Sequence, residues 1–184
     1  IADGDWSSDV CLPIYPSAVS ARPPRVRAVH PGPGPPGRRG SCRSRTQGRV
    51  VRLARTPDGR RLEVARRIDA DPDRVWTVLI DTELWPEWGP SVTAVECSDR
   101  MVRGGSTGRV QVPIGLWLPF VVRTCADRRW TWDVAGVPAT GHRVEGTEDG
   151  TLAVFELPPL AAGYAPVCRR ALRRIGELAE GKRS

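Results

Sequence analysis

Few side chains in this chain could trade a proton near neutral pH, and none of them stands in a pattern that defines a reaction. His30 and His142 are the two histidines, and imidazole is the side chain whose ordinary pKa puts its charge change between about pH 5 and 8. His142 shares a strand face with Val144 in Gly141-His142-Arg143-Val144-Glu145. It reads as a general acid or base, or as a polar residue satisfied by its neighbours. The five cysteines, Cys11, Cys42, Cys97, Cys125 and Cys168, are odd in number and form no C-x-x-C pair. Neither a disulfide framework nor a zinc site is expected. With two histidines available, a histidine metal site would need carboxylates for most of its ligands. No metal and no cofactor are expected.

The other candidates suit a cavity rather than a catalytic triad. Trp130 and Trp132 share one strand face in Arg129-Trp130-Thr131-Trp132, so they either line a hollow or fill it, each indole bringing one donor that needs a partner. Trp85 and Trp88 flank Pro86, where they either gate a rim or pack a short helix on the sheet. Arg66 and Arg123 would anchor a carboxylate if they point inward, although strand parity near Pro119 is not fixed by the sequence. Glu156 shares a face with Leu152 and Val154 and needs an arginine partner if buried. Tyr164 opens the last apolar stripe. The expected ligand-binding set is therefore Trp88, Arg123, Trp130, Trp132, His142, Glu156 and Tyr164.

Two motif matches fail on physical grounds. Gly32-Pro33-Gly34-Pro35-Pro36-Gly37 fits G-x-G-x-x-G, but prolines remove the backbone N–H groups that would cradle a pyrophosphate, and no strand precedes it. Gly104-Gly105-Ser106-Thr107-Gly108 fits G-x-S-x-G. A nucleophile elbow turns from strand into helix, whereas Arg109-Val110-Gln111-Val112 continues as strand. The glycines read as a hairpin turn.

The elements that must position these residues follow in a definite order. Leu62 to Ile68 alternates as a strand. Asp71-Pro72-Asp73 then supplies an N-cap, a proline at the first helical position and an acid near the positive helix end. Val75, Trp76, Leu79 and Ile80 form that helix's buried stripe, with Trp76 in the core. Asp81 caps a second short helix through Leu84, which Pro86 cuts off. Strands are expected at Val92 to Cys97, Gly108 to Pro113, Pro119 to Cys125, Arg129 to Ala135, Gly141 to Gly146 and Leu152 to Leu157. Their spacing leaves no room for crossover helices, so the sheet must be antiparallel. Tyr164 to Glu180 carries an apolar face through Val167, Cys168, Ala171, Leu172 and Ile175, with Pro166 in its first turn and Gly181 as its stop.

Charge divides the chain at about the same place. Residues 1 to 62 carry a net +8 and residues 63 to 184 a net −1, which together make the +7 of the whole. Residues 1 to 60 are read as a disordered basic tail rich in Pro, Gly and Arg, and 61 to 184 as one domain. Arg outnumbers Lys by 27 to one and Asn is absent, the usage of a GC-rich genome, so the pI of 9.9 decides little. The chain opens on Ile1 and its one Met is Met101, an arrangement read as a fragment boundary or as sequence upstream of the translated start. The longest apolar stretch, Val110 to Val122, is broken by Gln111, Pro113 and Pro119 and is too short for a span of ~20 residues. A cytoplasmic protein without a transmembrane segment is expected.

Several segments carry a resemblance: Val64 to Trp76, Asp81 through Trp88, Gly105 to Gly108, Arg129 to Trp132, Gly141 to Glu145 and the terminal helix. Together they resemble the START-like, or SRPBCC, helix-grip superfamily, often labelled polyketide cyclase/dehydrase and lipid-transport proteins. The resemblance implies an α+β helix-grip fold, with a curved antiparallel sheet of about seven strands around a long C-terminal helix. It also implies a hydrophobic guest such as a lipid, polyketide, hormone or quinone between sheet and helix. In the group's cyclases, polar cavity residues orient a polyketide chain and stabilise enolate charge, but no catalytic motif of the group maps onto this chain. The expected function is binding of a hydrophobic small molecule, with a cyclase-like activity left open. The alternative is an interaction protein whose basic tail binds nucleic acid or an acidic surface.

Overall fold

The computed structural model describes residues 50–182. Eight strands form one antiparallel sheet in the order β1-β2-β8-β7-β6-β5-β4-β3. These are β1 (Val50–Thr56), β2 (Gly59–Ile68), β3 (Ala94–Cys97), β4 (Thr107–Gln111), β5 (Trp117–Ala126), β6 (Arg129–Val134), β7 (Val137–Thr147) and β8 (Gly150–Leu157). The helices are α1 (Pro72–Ile80), α2 (Trp85–Trp88) and α3 (Ala165–Ala179). With the curved sheet and the long terminal helix, this is the α+β helix-grip architecture, one strand richer than expected.

The extra strand is β1, which pairs with β2 from Val50↔Ala65 to Thr56↔Gly59 and lies ahead of the expected domain start at residue 61. Its apolar residues gave no core pattern because Val51 and Leu53 are exposed. Backbone pairing on an edge strand, rather than side-chain burial, holds it. The remainder of the expected tail, with His30, Cys11, Cys42 and the Gly32 to Gly37 motif, lies outside the described residues.

Local chemistry explains the helices. Asp71 accepts from the Asp73 N–H at 2.8 Å and Pro72 opens α1, which satisfies one of the orphan donors of a helix start. Asp81 then caps a single 3₁₀ turn over Thr82–Leu84. Pro86 does not stop that turn; it sits in the first turn of α2, where its missing N–H costs nothing. In α3, Pro166 occupies the first turn, and Cys168, Ala171, Leu172, Ile175 and Ala179 are buried along one stripe. That stripe packs on β2, β8, α1 and α2.

Strand alternation then sorts side chains between two faces. Trp130, His142, Val144 and Phe155 join the core under α3, while Glu63, Arg129, Arg143 and Glu156 meet on the opposite face. Two register shifts adjust this pattern, one between Val122 and Thr124 against β6, the other between Thr131 and Asp133 against β7.

Candidate ligand cavity

Between the middle of the sheet, α2 and the N-terminal half of α3 lies a cavity of about 40 Å³. Ordinary ligand pockets measure ~300–1,000 Å³, and one water needs roughly 10–15 Å³. The hollow is thus smaller than a helix-grip sheet suggests, because aromatic rings occupy most of the interior. Trp85, Trp130 and His142 stack in series, Trp85 on Trp130 at 5.3 Å and 6°, Trp130 on His142 at 4.1 Å and 21°. Phe155 meets His142 edge-on at 4.4 Å, and Trp132 stands edge-on to Trp130 at 5.6 Å. Such offset and T-shaped contacts favour ring quadrupoles and add to plain area burial.

The indoles of α2 are held by the helix before it. Trp85 Nε1 donates to the Leu79 carbonyl at 3.0 Å and Trp88 Nε1 to the Val78 carbonyl at 3.1 Å. These carbonyls belong to the last turn of α1, where intrahelical partners run out. Both tryptophans therefore pack the short helix and wall the cavity at once.

On the sheet side the polar groups are unevenly satisfied. Trp132 Nε1 lies 3.3 Å from Thr140 Oγ1, and the same hydroxyl lies 3.2 Å from His142 Nε2. Trp130 Nε1 and His142 Nδ1 are buried with no hydrogen-bond partner among the described residues. Burial pulls the His142 imidazole down to about 3, so the ring is neutral at ordinary pH. A group so far below neutrality makes a poor proton shuttle. Cys168, also in the wall, is pushed up to about 12 by burial and stays a thiol. At the mouth, the Tyr164 and Ser91 hydroxyls hydrogen-bond each other across the gap between α3 and the loop after α2.

Of the seven expected residues, Trp88, Trp130, Trp132, His142 and Tyr164 line this cavity. Arg123 and Glu156 do not. Arg123 is the extra residue of the β5 bulge, and its guanidinium pairs with Asp133 at 2.6 Å while remaining largely exposed. Glu156, 1 % exposed, points to the far face of the sheet. There it accepts from Arg129 at 2.7 Å and Arg143 at 2.8 Å. Gly141 makes room for it, since a Cβ there would meet Glu156 Oε2 at 3.0 Å. Arg66 lies beside Gly176 of α3 and is exposed.

Ser106, the centre of the G-x-S-x-G match, is buried, donates to Asp99 Oδ2 at 2.7 Å and accepts from the Arg103 N–H. It braces the turn at Gly104-Gly105, which leads into β4 as strand. No group of three His, Cys, Asp or Glu side chains able to hold a metal occurs among the described residues. No helix among them is long and apolar enough to cross a membrane.

Comparison with known proteins agrees with this geometry. Residues 59–180 match the family described as polyketide cyclase / dehydrase and lipid transport. The chain belongs to this family. No curated protein matches it. Among solved structures, protein NE0264 of Nitrosomonas europaea is 18% identical at a TM-score of 0.52, over 66% of this chain and 95% of that one. Protein MLL2253 of Mesorhizobium loti is 15% identical at 0.54, over 67% and 99%. The di-domain ARO/CYC StfQ from the steffimycin biosynthetic pathway is 15% identical at 0.53, over 66% of this chain and 51% of its own length. At these identities the likeness is one of fold.

Within this family frame, sequence reasoning overlooked Thr140, Phe155, Cys168 and Ala171 as cavity residues. Thr140 could have been found from its place two residues before His142 on the same face. Cys168 and Ala171 stand three apart on the apolar stripe of α3, where small side chains leave space beside the rings.

Proposed function

We propose that the chain binds a compact, uncharged hydrophobic molecule in the hollow between β6, β7, β8, α2 and α3. Membership of the polyketide cyclase / dehydrase and lipid transport family supports a hydrophobic guest. The observation that carries the reading is the character of the walls: no Asp, Glu, Lys or Arg lines the cavity, and its histidine is held neutral. Apolar lining with a few fixed polar atoms is the ordinary make-up of a small-molecule site.

At 40 Å³ the resting hollow takes a guest only after the rim yields. The Ser91–Tyr164 bond is the contact that must open, because it ties the α2 loop to the start of α3. A cyclase-like role is the finer reading, and the shared fold with an ARO/CYC protein is compatible with it. The depressed His142 and the raised Cys168 favour holding and orienting a guest over moving its protons. The alternative role for the basic tail rests on charge alone, in a segment outside the described residues.

Native mass spectrometry of the full chain, with extraction of retained compounds, tests the reading. Its control is Val167→Trp, which plugs the wall from a half-buried position on α3. An apolar compound retained by the parent and lost from the folded variant is the expected result. Equal retention by both would remove this cavity from the function.

A further inference from the structure

The loops at the two ends of the sheet differ in chemistry. Antiparallel order sends the β1–β2 turn (57–58), the β4–β5 turn (112–116) and the β6–β7 turn (135–136) to one end. The α2–β3 loop (89–93) and the segment 158–164 that enters α3 join them there. The β2–α1, β3–β4, β5–β6 and β7–β8 connections lie at the other end, and they carry Asp69, Asp71, Asp99, Asp127, Glu148 and Asp149. The five loops of the first end hold one charged side chain, Asp58, which Arg129 engages. They present Ile114, Leu116, Leu160 and Tyr164 instead, and Val137 opens β7 beside them. These are five of the eight large apolar side chains exposed among the described residues. Ile114 is 85 % exposed and Leu160 fully so, while Met101 is the exposed one at the acidic end.

We infer that this apolar end is a docking face for an anionic lipid bilayer. Exposed apolar side chains gathered on one side of a fold mark a contact surface, and here charge selects the partner. Arg55 and Arg60 face each other across the β1–β2 ladder beside its turn, both exposed and neither paired with a carboxylate among the described residues. Arg109 lies 4.9 Å over the Trp117 ring next to the β4–β5 turn. Apolar tips bordered by arginines match an interface of acyl chains beneath phosphate headgroups, and the acidic end then points away from the negative surface. A second copy fits less well. Two such ends meeting would set Arg55 and Arg60 against their own counterparts, and single side chains protruding from separate loops offer no matched surface of ~800 Å² per partner. A bilayer yields to each tip without shape complementarity. The Ser91–Tyr164 contact at the cavity mouth lies at this same end, so a docked chain turns its mouth to the lipid.

Co-sedimentation of the full chain with vesicles of phosphatidylcholine, alone or with equimolar phosphatidylglycerol, tests the face. Three double variants change only exposed side chains: Ile114→Ser with Leu160→Ser, Arg55→Gln with Arg60→Gln, and, as the control, Glu148→Gln with Asp149→Asn. All keep residues 1–49, so binding carried by the basic segment alone would leave every variant equal to the parent. The parent is expected to bind the anionic vesicles. The apolar pair should weaken that binding about 10-fold or more and the arginine pair about 5-fold or more, while the control binds at least as well as the parent. In anionic bicelles carrying a spin-labelled lipid, the Ile114 and Leu160 methyl signals of the parent should broaden well before that of Met101, the one methionine of the chain. That readout needs no variant.

A parent that leaves the anionic vesicles in solution overturns the inference. So does binding that survives both loop substitutions, or broadening at Met101 equal to that at Ile114. Self-association of the parent that is lost with Ile114→Ser and Leu160→Ser, in place of vesicle binding, would assign the face to a second copy. None of these outcomes touches the guest-binding reading, which retention of a compound in the absence of lipid decides.

Discussion

The two faces of the central strands show opposite ways to bury polar atoms. On the outer face Glu156 takes hydrogen bonds from Arg129 and Arg143, and Arg143 reaches on to Glu63 at 3.1 Å and Glu145 at 2.8 Å. Glu63 also accepts from Arg52 at 2.7 Å. Burial would raise the Glu63 pKa, but the two arginines overcome this and hold it below its ordinary value. Hydrogen bonding to Glu156 likewise drives the Arg129 guanidinium further up. On the inner face, one residue away along the same strands, His142 and Trp130 each keep an unpaired nitrogen in an aromatic box. The outer network is closed, whereas the inner face keeps two buried nitrogen atoms without a partner among the described residues. A buried titratable group marks a site by what it lacks, not by its charge.

The contrast breaks most visibly at Glu156. Glu156→Ala strands Arg129 and Arg143 without their shared carboxylate, and removing one member of a buried ionic set costs about 3–5 kcal/mol. Urea denaturation should report a loss of that order. A change below about 1 kcal/mol would show that the outer face is not the closed structural network described.

A smaller effect separates the faces by pH. His142 falls from an ordinary 6.5 to about 3 in the folded chain, so the unfolded chain takes up its proton first as pH drops. The contribution is fully present above pH 6.5 and declines by about 1.4 kcal/mol per unit below it, down to about 3. Between pH 6.5 and 5 the parent should lose roughly 2 kcal/mol more than His142→Phe, a window above the range in which the lowered carboxylates titrate. Parallel stability curves for the two proteins would mean that the imidazole is protonated in the native state.

The smallest difference compares one substitution at two indoles. Trp88→Phe leaves the buried Val78 carbonyl without its donor, whereas Trp130→Phe removes an N–H that had no partner. Thermal unfolding should show Trp88→Phe to be less stable than Trp130→Phe by about 1 kcal/mol. The reverse order would mean that the Trp130 donor is satisfied in the free protein.

Most of the fold was legible because it is written in local signals. The Asp71-Pro72-Asp73 start, the buried stripe of α1, the spacing that forbids crossovers and the stripe of α3 each depend on neighbours within a turn or two. β1 was not legible, since an edge strand with exposed Val51 and Leu53 carries no burial pattern. Pro86 was misread as a stop because its position relative to a new helix start depends on where the previous turn ends. The site was legible as a set of aromatic and polar types. Which way each one points was not, as Arg123 shows: a single bulged residue moved it out of the set.

The sequence alone determined the order of elements from β2 to α3, the antiparallel sheet and the need of a buried Glu156 for an arginine. Tertiary structure decided the rest: how small the hollow is, which buried nitrogens go unpaired, and that burial keeps His142 neutral. These depend on ring stacking between Trp85, Trp130 and His142, residues far apart in the chain, and on strand registers that shift at two points. Burial and hydrogen-bond completion are properties of the packed assembly, and no spacing along the chain encodes them.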